Sequence, residues 1–381
     1  MKTRIFTCGD IVINQYKEQF ICPKLNELIN NVDIAICNFE APLKSKGKAI
    51  PKAGPHVFQD KKALHALKTN GFTHLALANN HIFDFGSKGL EKTLDQARQL
   101  KLTTFGAGLN WDEAYGLKTT LINNQTFGFL AFCESEFGAM TEKDGYGAYA
   151  YINHYQVNQL VEQAKSKVDF LLVSVHAGVE EISLPLPEWR NRYKELCDYG
   201  ADVIIGHHPH VPQGWETYKG KPIFYSLGNF YFDIGKYKSS ENCSYSVVLN
   251  FDDNKNLDFE IITHKQAEGK VSIIDDIKFN NKLDNLCTKL GANYEEEINK
   301  IVVELYEKRY IPAYQRAIKG FSSDMSAFKI FRRRLANIIF RRKNLAQREL
   351  LLLHNIRIES HRYLTQRALH LIYEKTDKYK K

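Results

Sequence analysis

Short runs of Val, Ile, Leu and Phe recur through the first 280 residues, and most of them stop at a polar cluster. The runs 4–8, 33–37, 73–78, 103–105, 127–133, 169–175, 203–205 and 223–226 read as strands. Several are nearly continuous in apolar residues, as expected for strands covered on both faces. Helical patterns separate them at 59–70, 88–100, 157–167 and 188–199, with Gly71 and Gly200 placed for left-handed helix ends. This alternation predicts a layered α/β domain with helices packed on the sheet. A hairpin, 245–251 with 259–264, is expected to close it.

The polar clusters follow the runs. They are Gly9-Asp10, Asn38-Phe39-Glu40, Asn79-Asn80-His81 with Asp84, His176 with Glu180, His207-His208-Pro209-His210, and Gly228-Asn229. In open α/β sheets the C-terminal strand ends converge on one site, because rigid neighbouring strands carry their side chains there together. Carboxylate, amide oxygen and imidazole together suit Mn, Fe, Zn or Mg. Two such ions can clamp a phosphate-like transition state and activate a water. Taken singly, Asp10 and Asp84 also fit turn or helix caps, and His81 a solvated ring. The three histidines at 207–210 are harder to explain structurally, and the His-x-His spacing falls on His208 and His210, which leaves His207 out.

Composition narrows the setting. Hydrophobic residues make up 44% and charged residues 25% of the 381 positions, the balance of a globular protein. Seven scattered cysteines without a CxxC pair argue for free thiols in a reducing compartment rather than a disulfide framework or zinc knuckle. There is no signal-like or membrane-spanning apolar run, so the expectation is a cytoplasmic protein, either wholly so or peripheral to the inner face of the membrane. Residues 281–381 carry 22 Lys and Arg against 11 Asp and Glu, whereas the preceding part carries 30 against 33. Apolar residues at helical spacing make this basic stretch an α-helical extension of about three helices, following a domain at 1–270. Its segment 328–343 has seven basic residues and no acid, with Phe328, Phe331, Leu335, Ile338 and Ile339 on one helical face. Such a helix either packs on its own protein or contacts an anionic membrane. No reading motif accompanies the charge, so specific nucleic-acid recognition is not expected.

In order along the chain, GD, NFE, NNHIFDFG, GAGLNWDEA, HAGVE, GHHPH and SLGNFYF resemble the bacterial capsule-synthesis family of the CapA type, named for poly-γ-glutamate formation. That family is in turn similar to calcineurin-like metallophosphoesterases. The resemblance spans about 1–264 and omits the helical extension. It implies a calcineurin-like layered β-sheet domain and one or two divalent ions. Asp10 and His210 would hold the first ion, Glu40 would bridge, and Asn80, His176 and His208 would hold the second. His81 would be the general acid, oriented by Asp84. Glu180 and Asn229 are candidate substrate-binding residues; Glu180 could equally pair with a tail arginine, and Asn229 could support a neighbouring loop. Two positions depart from the pattern: Asp10 lacks the following Asp-x-His histidine, being followed by Ile11 and Val12, and Glu40 replaces an aspartate.

The implied function is a capsule or poly-γ-glutamate synthesis protein with a phosphoesterase-like metal site. Its partners would be an anionic polymer or phosphoester substrate and polymer-synthase proteins. A catalytically silent metal- or polymer-binding module, and a hydrolase of polymer amide or ester bonds, are the alternatives.

Overall fold

The computed structural model describes residues 2–142, 145–235 and 242–378; within the helices, the side chains of Leu335, Ile338, Arg341, Arg342, Lys343 and 375–378 lie outside that description. The described chain forms two compact units. The first comprises the N-terminal stretch to Ile50, His56–Glu134 and Gly138–Leu290; the second comprises Pro51–Pro55, Ser135–Phe137 and the chain from Gly291.

The first unit is the layered α/β domain that the runs and the resemblance led us to expect. Its eight-stranded sheet runs Lys270–Ile273, Leu257–Ala267, Asn242–Phe251, Thr3–Val12, Ile34–Phe39, His74–Ala76 and Thr103–Phe105, with Asn229–Phe232 also pairing with Thr3–Val12. A six-stranded sheet runs Trp215–Tyr218, Lys221–Phe224, Val203–His207, Phe170–His176, Gln125–Cys133 and Lys118–Ile122. In the first sheet the strands from Thr3–Val12 to the edge strand Thr103–Phe105 are parallel and those on the other side antiparallel; in the second the four central strands are parallel and both edge strands antiparallel. Parallel pairing requires crossovers, and helices such as Gly86–Gln99, Val157–Lys165 and Pro187–Asp198 supply them. The inner faces of the two sheets meet through aromatic rings. Phe105 lies 5.8 Å from Phe129, Phe127 5.0 Å from Phe251, and Phe224 5.1 Å from Phe259. Burying one such ring contributes roughly 2 to 3 kcal/mol, so this layer is the cohesive centre of the domain. All seven cysteines remain thiols.

Two glycines let the strands close on the site. A Cβ at Gly9 would lie 1.8 Å from the Gly228 carbonyl oxygen, and one at Gly206 would lie 2.0 Å from that of Tyr225. Each precedes a polar cluster, so close backbone approach is built in just where the ligand-type side chains begin.

Several elements differ from their expected bounds. The first strand continues past Asp10 to Val12, because Ile11 and Val12 pair with Tyr231 and Phe232 beyond an irregularity at Asp10. The run expected at 223–226 is Lys221–Phe224, and Asn229 opens a strand of its own. The expected hairpin has longer arms, Asn242–Phe251 and Leu257–Ala267.

In the second unit, five helices among the described residues replace the expected three: Tyr294–Leu305, Ile311–Lys319, Ala327–Ile339, Arg341–Arg357 and Glu359–Lys378, with a π turn at Tyr306–Tyr310. Gly320, at φ 81°, ends the second. Ser326 caps the third through the Lys329 amide, and non-helical backbone at Phe340 and Ile358 separates the rest. On the third helix Phe328, Phe331 and Ile339 are 69%, 64% and 63% exposed. Among the described residues no helix is long and apolar enough to cross a membrane.

Candidate metal centre

The polar strand ends of both sheets converge on one buried cluster in the first unit. Asp10, Asn38, Glu40 and Asn80 come from the eight-stranded sheet and its loops. His176, His207, His208 and His210 come from the ends of Phe170–His176 and Val203–His207. Asp10 and Glu40 are fully buried, and Asn38, His176, His207 and His208 nearly so.

Asp10 is the hub. Its Oδ1 accepts the Asn38 side-chain amide at 2.8 Å and lies 3.4 Å from His207 Nδ1. Its Oδ2 accepts the His208 backbone N–H at 3.3 Å and lies 3.5 Å from His210 Nδ1. His176 is the second hub. Its Nδ1 is 3.2 Å from the Asn38 amide nitrogen, and its Nε2 is 3.2 Å from Asn80 Oδ1 and 3.0 Å from His208 Nδ1. Glu40 Oε1 lies 4.0 Å from His176 Nε2 and 3.8 Å from His210 Nε2. One ligand atom from each of Asp10, Glu40 and His176 falls within 4.8 Å of the others. Two buried carboxylates, amide oxygens and several imidazoles in so small a volume fit a hard or borderline divalent ion.

The backbone holds these groups in uncommon conformations. Ala41, His208 and His210 have φ of 121°, 98° and 59°. Each is unfavourable for a residue with a Cβ, by roughly 1 to 3 kcal/mol. The surrounding pairing enforces them and thereby aims the ligand-type side chains inward.

The electrostatics follow from burial and mutual proximity. Burial pushes the Asp10 carboxyl up, but the facing His207 and His210 rings and nearby His176 outweigh it and hold the group well below the carboxylate range. Burial, reinforced by His208, drives His176 well below the usual imidazole value. Burial also takes His208 down to about 4. His210 goes the other way: burial opposes its protonation, yet Glu40 and Asp10 raise it to about 10. His176 and His208 thus stay neutral, the ligand form, beside a carboxylate that stays ionised, whereas His210 must give up its proton to an incoming ion.

His81 and Asp84 form a pair at the edge of the cluster. His81 Nδ1 is 2.7 Å from Asp84 Oδ2, which also accepts the Val57 N–H at 2.7 Å. The ring is near enough to His208 to disfavour its protonation. Glu180, half-buried, sits close enough to His208 and His210 to favour their protonated forms. Asn229 is fully buried, its Oδ1 3.0 Å from His210 Nδ1, and its Cα is the register partner of Asp10. From its strand it therefore props His210, which lies past the end of Val203–His207. Three members of the polar clusters were not among the expected site residues. Asn38 bridges the hubs, Asn79 bonds the Phe39 carbonyl at 2.9 Å, and His207 faces Asp10. Strand register, which places Cys37 beside Leu75 and His207 beside His176, is what brings them in.

A layered α/β domain with a buried Asp/Glu/Asn/His centre at converging strand ends is the class of protein that the fold and site define. Residues 4–234 match the family described as bacterial capsule synthesis protein PGA_cap, and the chain belongs to that family. It is 29% identical over 310 residues to the capsule biosynthesis protein CapA of Bacillus anthracis, covering 79% of this chain and 75% of that one. It is 32% identical over 243 residues to the PGA biosynthesis protein CapA of Bacillus subtilis, covering 60% of this chain and 62% of that one. Among solved structures, a hypothetical protein from Thermus thermophilus aligns with a TM-score of 0.47 at 16% identity, over 69% of this chain and all of its own.

Proposed function

We propose that this protein acts in the synthesis of an anionic capsule polymer of the poly-γ-glutamate kind, and that its strand-end cluster is a divalent-metal centre with phosphoesterase-like chemistry. The observation that carries the reading is the convergence of Asp10, Glu40 and His176 within 4.8 Å in a buried site of a chain from this family. Asp10, Glu40, Asn80, His176, His208 and His210 would hold the metal, Mn, Fe, Zn or Mg by donor chemistry. When bound, the metal supplies an activated water and charge stabilisation. This chain's own contribution is positional. Asp84 fixes the His81 ring through one nitrogen and so directs the other as a proton donor to a leaving oxygen. Glu180 at the half-buried rim, as a carboxylate, would select which end of a substrate enters.

A specific observation favours a second reading, a catalytically silent metal- or polymer-binding module. Ile11 and Val12 follow Asp10 where the phosphoesterase pattern has a histidine, and both are fully buried in sheet pairing. Metal reconstitution with Mn, Fe and Zn, followed by a phosphoester panel, tests both. At least one equivalent bound per chain, with a raised melting temperature and turnover of a phosphoester, is the expected result. Bound metal with no turnover on phosphoester, amide or ester substrates selects the silent module. Less than one equivalent and no thermal shift would falsify the metal centre itself.

The basic extension would place the protein at an anionic membrane. Phe328, Phe331 and Ile339 lie exposed on one face of Ala327–Ile339, beside Arg332, Arg333 and Arg334, which are also exposed. Each such arginine contributes about 1 kcal/mol near an anionic surface. Sedimentation with anionic but not neutral vesicles is expected, weakening as salt rises. A Phe328→Glu, Phe331→Glu double variant that sediments as well as the wild type removes this part of the reading.

A further inference from the structure

We infer that His207 supplies the ligand that the sequence after Asp10 lacks, so that the centre accepts two ions rather than one. The inference rests on the metal-centre reading above and deepens it. His207 ends the strand Val203–His207, and its Cα is the register partner of His176 on the neighbouring parallel strand. Register partners on adjacent strands point to the same face, so the fold that delivers His176 to the cluster delivers His207 as well.

Three properties of the ring favour a ligand over a filler. It is 2% exposed, and its Nδ1 makes no hydrogen bond among the described residues. Leaving a buried polar nitrogen unsatisfied costs about 1 to 3 kcal/mol, a cost an ion at that nitrogen would offset. That Nδ1 lies 3.4 Å from Asp10 Oδ1. The separation is long for a hydrogen bond. It suits two ligands of one ion, because bonds of about 2.0 to 2.2 Å place neighbouring ligand atoms roughly 3 to 3.5 Å apart.

The third property is symmetry about Asp10. His207 Nδ1 faces one carboxylate oxygen, and His210 Nδ1 faces the other at 3.5 Å. Asp10, His207 and His210 thus form one set. Asn80, His176 and His208 form another, and Glu40 lies within 4.0 Å of a ring from each. Ile11 and Val12 cannot supply the missing donor, being apolar and committed to strand pairing. A ring from the adjacent sheet fills the vacant role.

Titration calorimetry and elemental analysis with Mn and Zn test the assignment, with the absorption spectrum of the cobalt(II)-loaded protein reporting coordination. Wild type is expected to bind two equivalents. His207→Phe keeps the ring volume without a donor and should bind one, with an altered cobalt spectrum. His207→Gln retains an oxygen donor and should keep two, the weaker of them loosened by about 10- to 100-fold. The glutamine variant also decides the matter if the phenylalanine variant does not fold. A wild type that binds only one equivalent overturns the inference and leaves the metal-centre reading standing. So does a His207 variant that binds two with unchanged affinity and spectrum. A wild type that binds none overturns the reading beneath it.

Discussion

A His176→Ala protein is expected to take up less than about a tenth of the metal bound by the wild type and to lose the thermal stabilisation that metal confers. His176 is the ring through which the two sheets share the centre. It lies 3.2 Å from the Asn38 amide, 3.2 Å from Asn80 Oδ1, 3.0 Å from His208 and 4.0 Å from Glu40. Removing it takes away an imidazole held neutral by burial, and leaves two amides facing a cavity. At metal concentrations about a thousand times Kd the wild type gains roughly 4 kcal/mol from binding, and the variant should gain almost none. His65→Ala is the control, because His65 is exposed and bonds only Gln96 among the described contacts. Melting curves with and without Mn or Zn, paired with elemental analysis, read both quantities. Full metal uptake by His176→Ala would remove the cluster as the binding site.

What the sequence made legible was the ends of the strands, because apolar runs stop abruptly at polar residues. Asp10, Glu40, Asn80, His176, His208 and His210 could all be picked out in that way. The pairing between strands was not legible, since register is set by which side chains pack across the inter-sheet layer. Asn38 is an example. In the sequence it opens the polar cluster after the run 33–37, with nothing to distinguish it from a turn residue. Only the alignment of Ile34–Phe39 beside Thr3–Val12, with Asp10 opposite Asn38, turns its amide toward both hubs. His207 was set aside because His-x-His spacing favours His208 and His210. The structure turns all three inward, since His208 at φ 98° redirects the chain immediately after the strand ends. The added outer strands, Lys118–Ile122 and Trp215–Tyr218, were hidden for a different reason. Lys118–Ile122 alternates partly exposed with exposed positions, Trp215–Tyr218 has no buried position, and both lack the continuous apolar run of a central strand. In the extension, periodicity revealed helical faces but not the breaks between helices. Gly320 was readable as a stop, whereas Phe340 and Ile358 carry no local signal for one.

His81→Ala is expected to leave metal content unchanged while slowing turnover of any phosphoester the wild type cleaves by about 10²- to 10⁴-fold. The separation of the two effects comes from where the ring sits. Its Nδ1 is engaged at 2.7 Å by Asp84, so the imidazole is held by a group outside the ligand set. Its charge is nonetheless felt by His208, which places it beside the centre rather than remote from it. A ring tethered through one nitrogen presents the other in a fixed direction, as a proton donor to a leaving oxygen must. The expected loss corresponds to about 3 to 5 kcal/mol of transition-state stabilisation. Asp84→Asn should retain metal and lose less activity, because the ring stays in place while its preferred tautomer and charge stabilisation are weakened. Asp84 Oδ2 also accepts the Val57 N–H, so the melting temperature of that variant must be measured alongside. Substrates with a good leaving group, such as aryl phosphates, need little protonation and should suffer least from His81→Ala. Alkyl phosphates should suffer most. An equal effect on both would show that His81 positions the substrate or the loop rather than donating the proton, and full activity on both would remove it from the chemistry altogether.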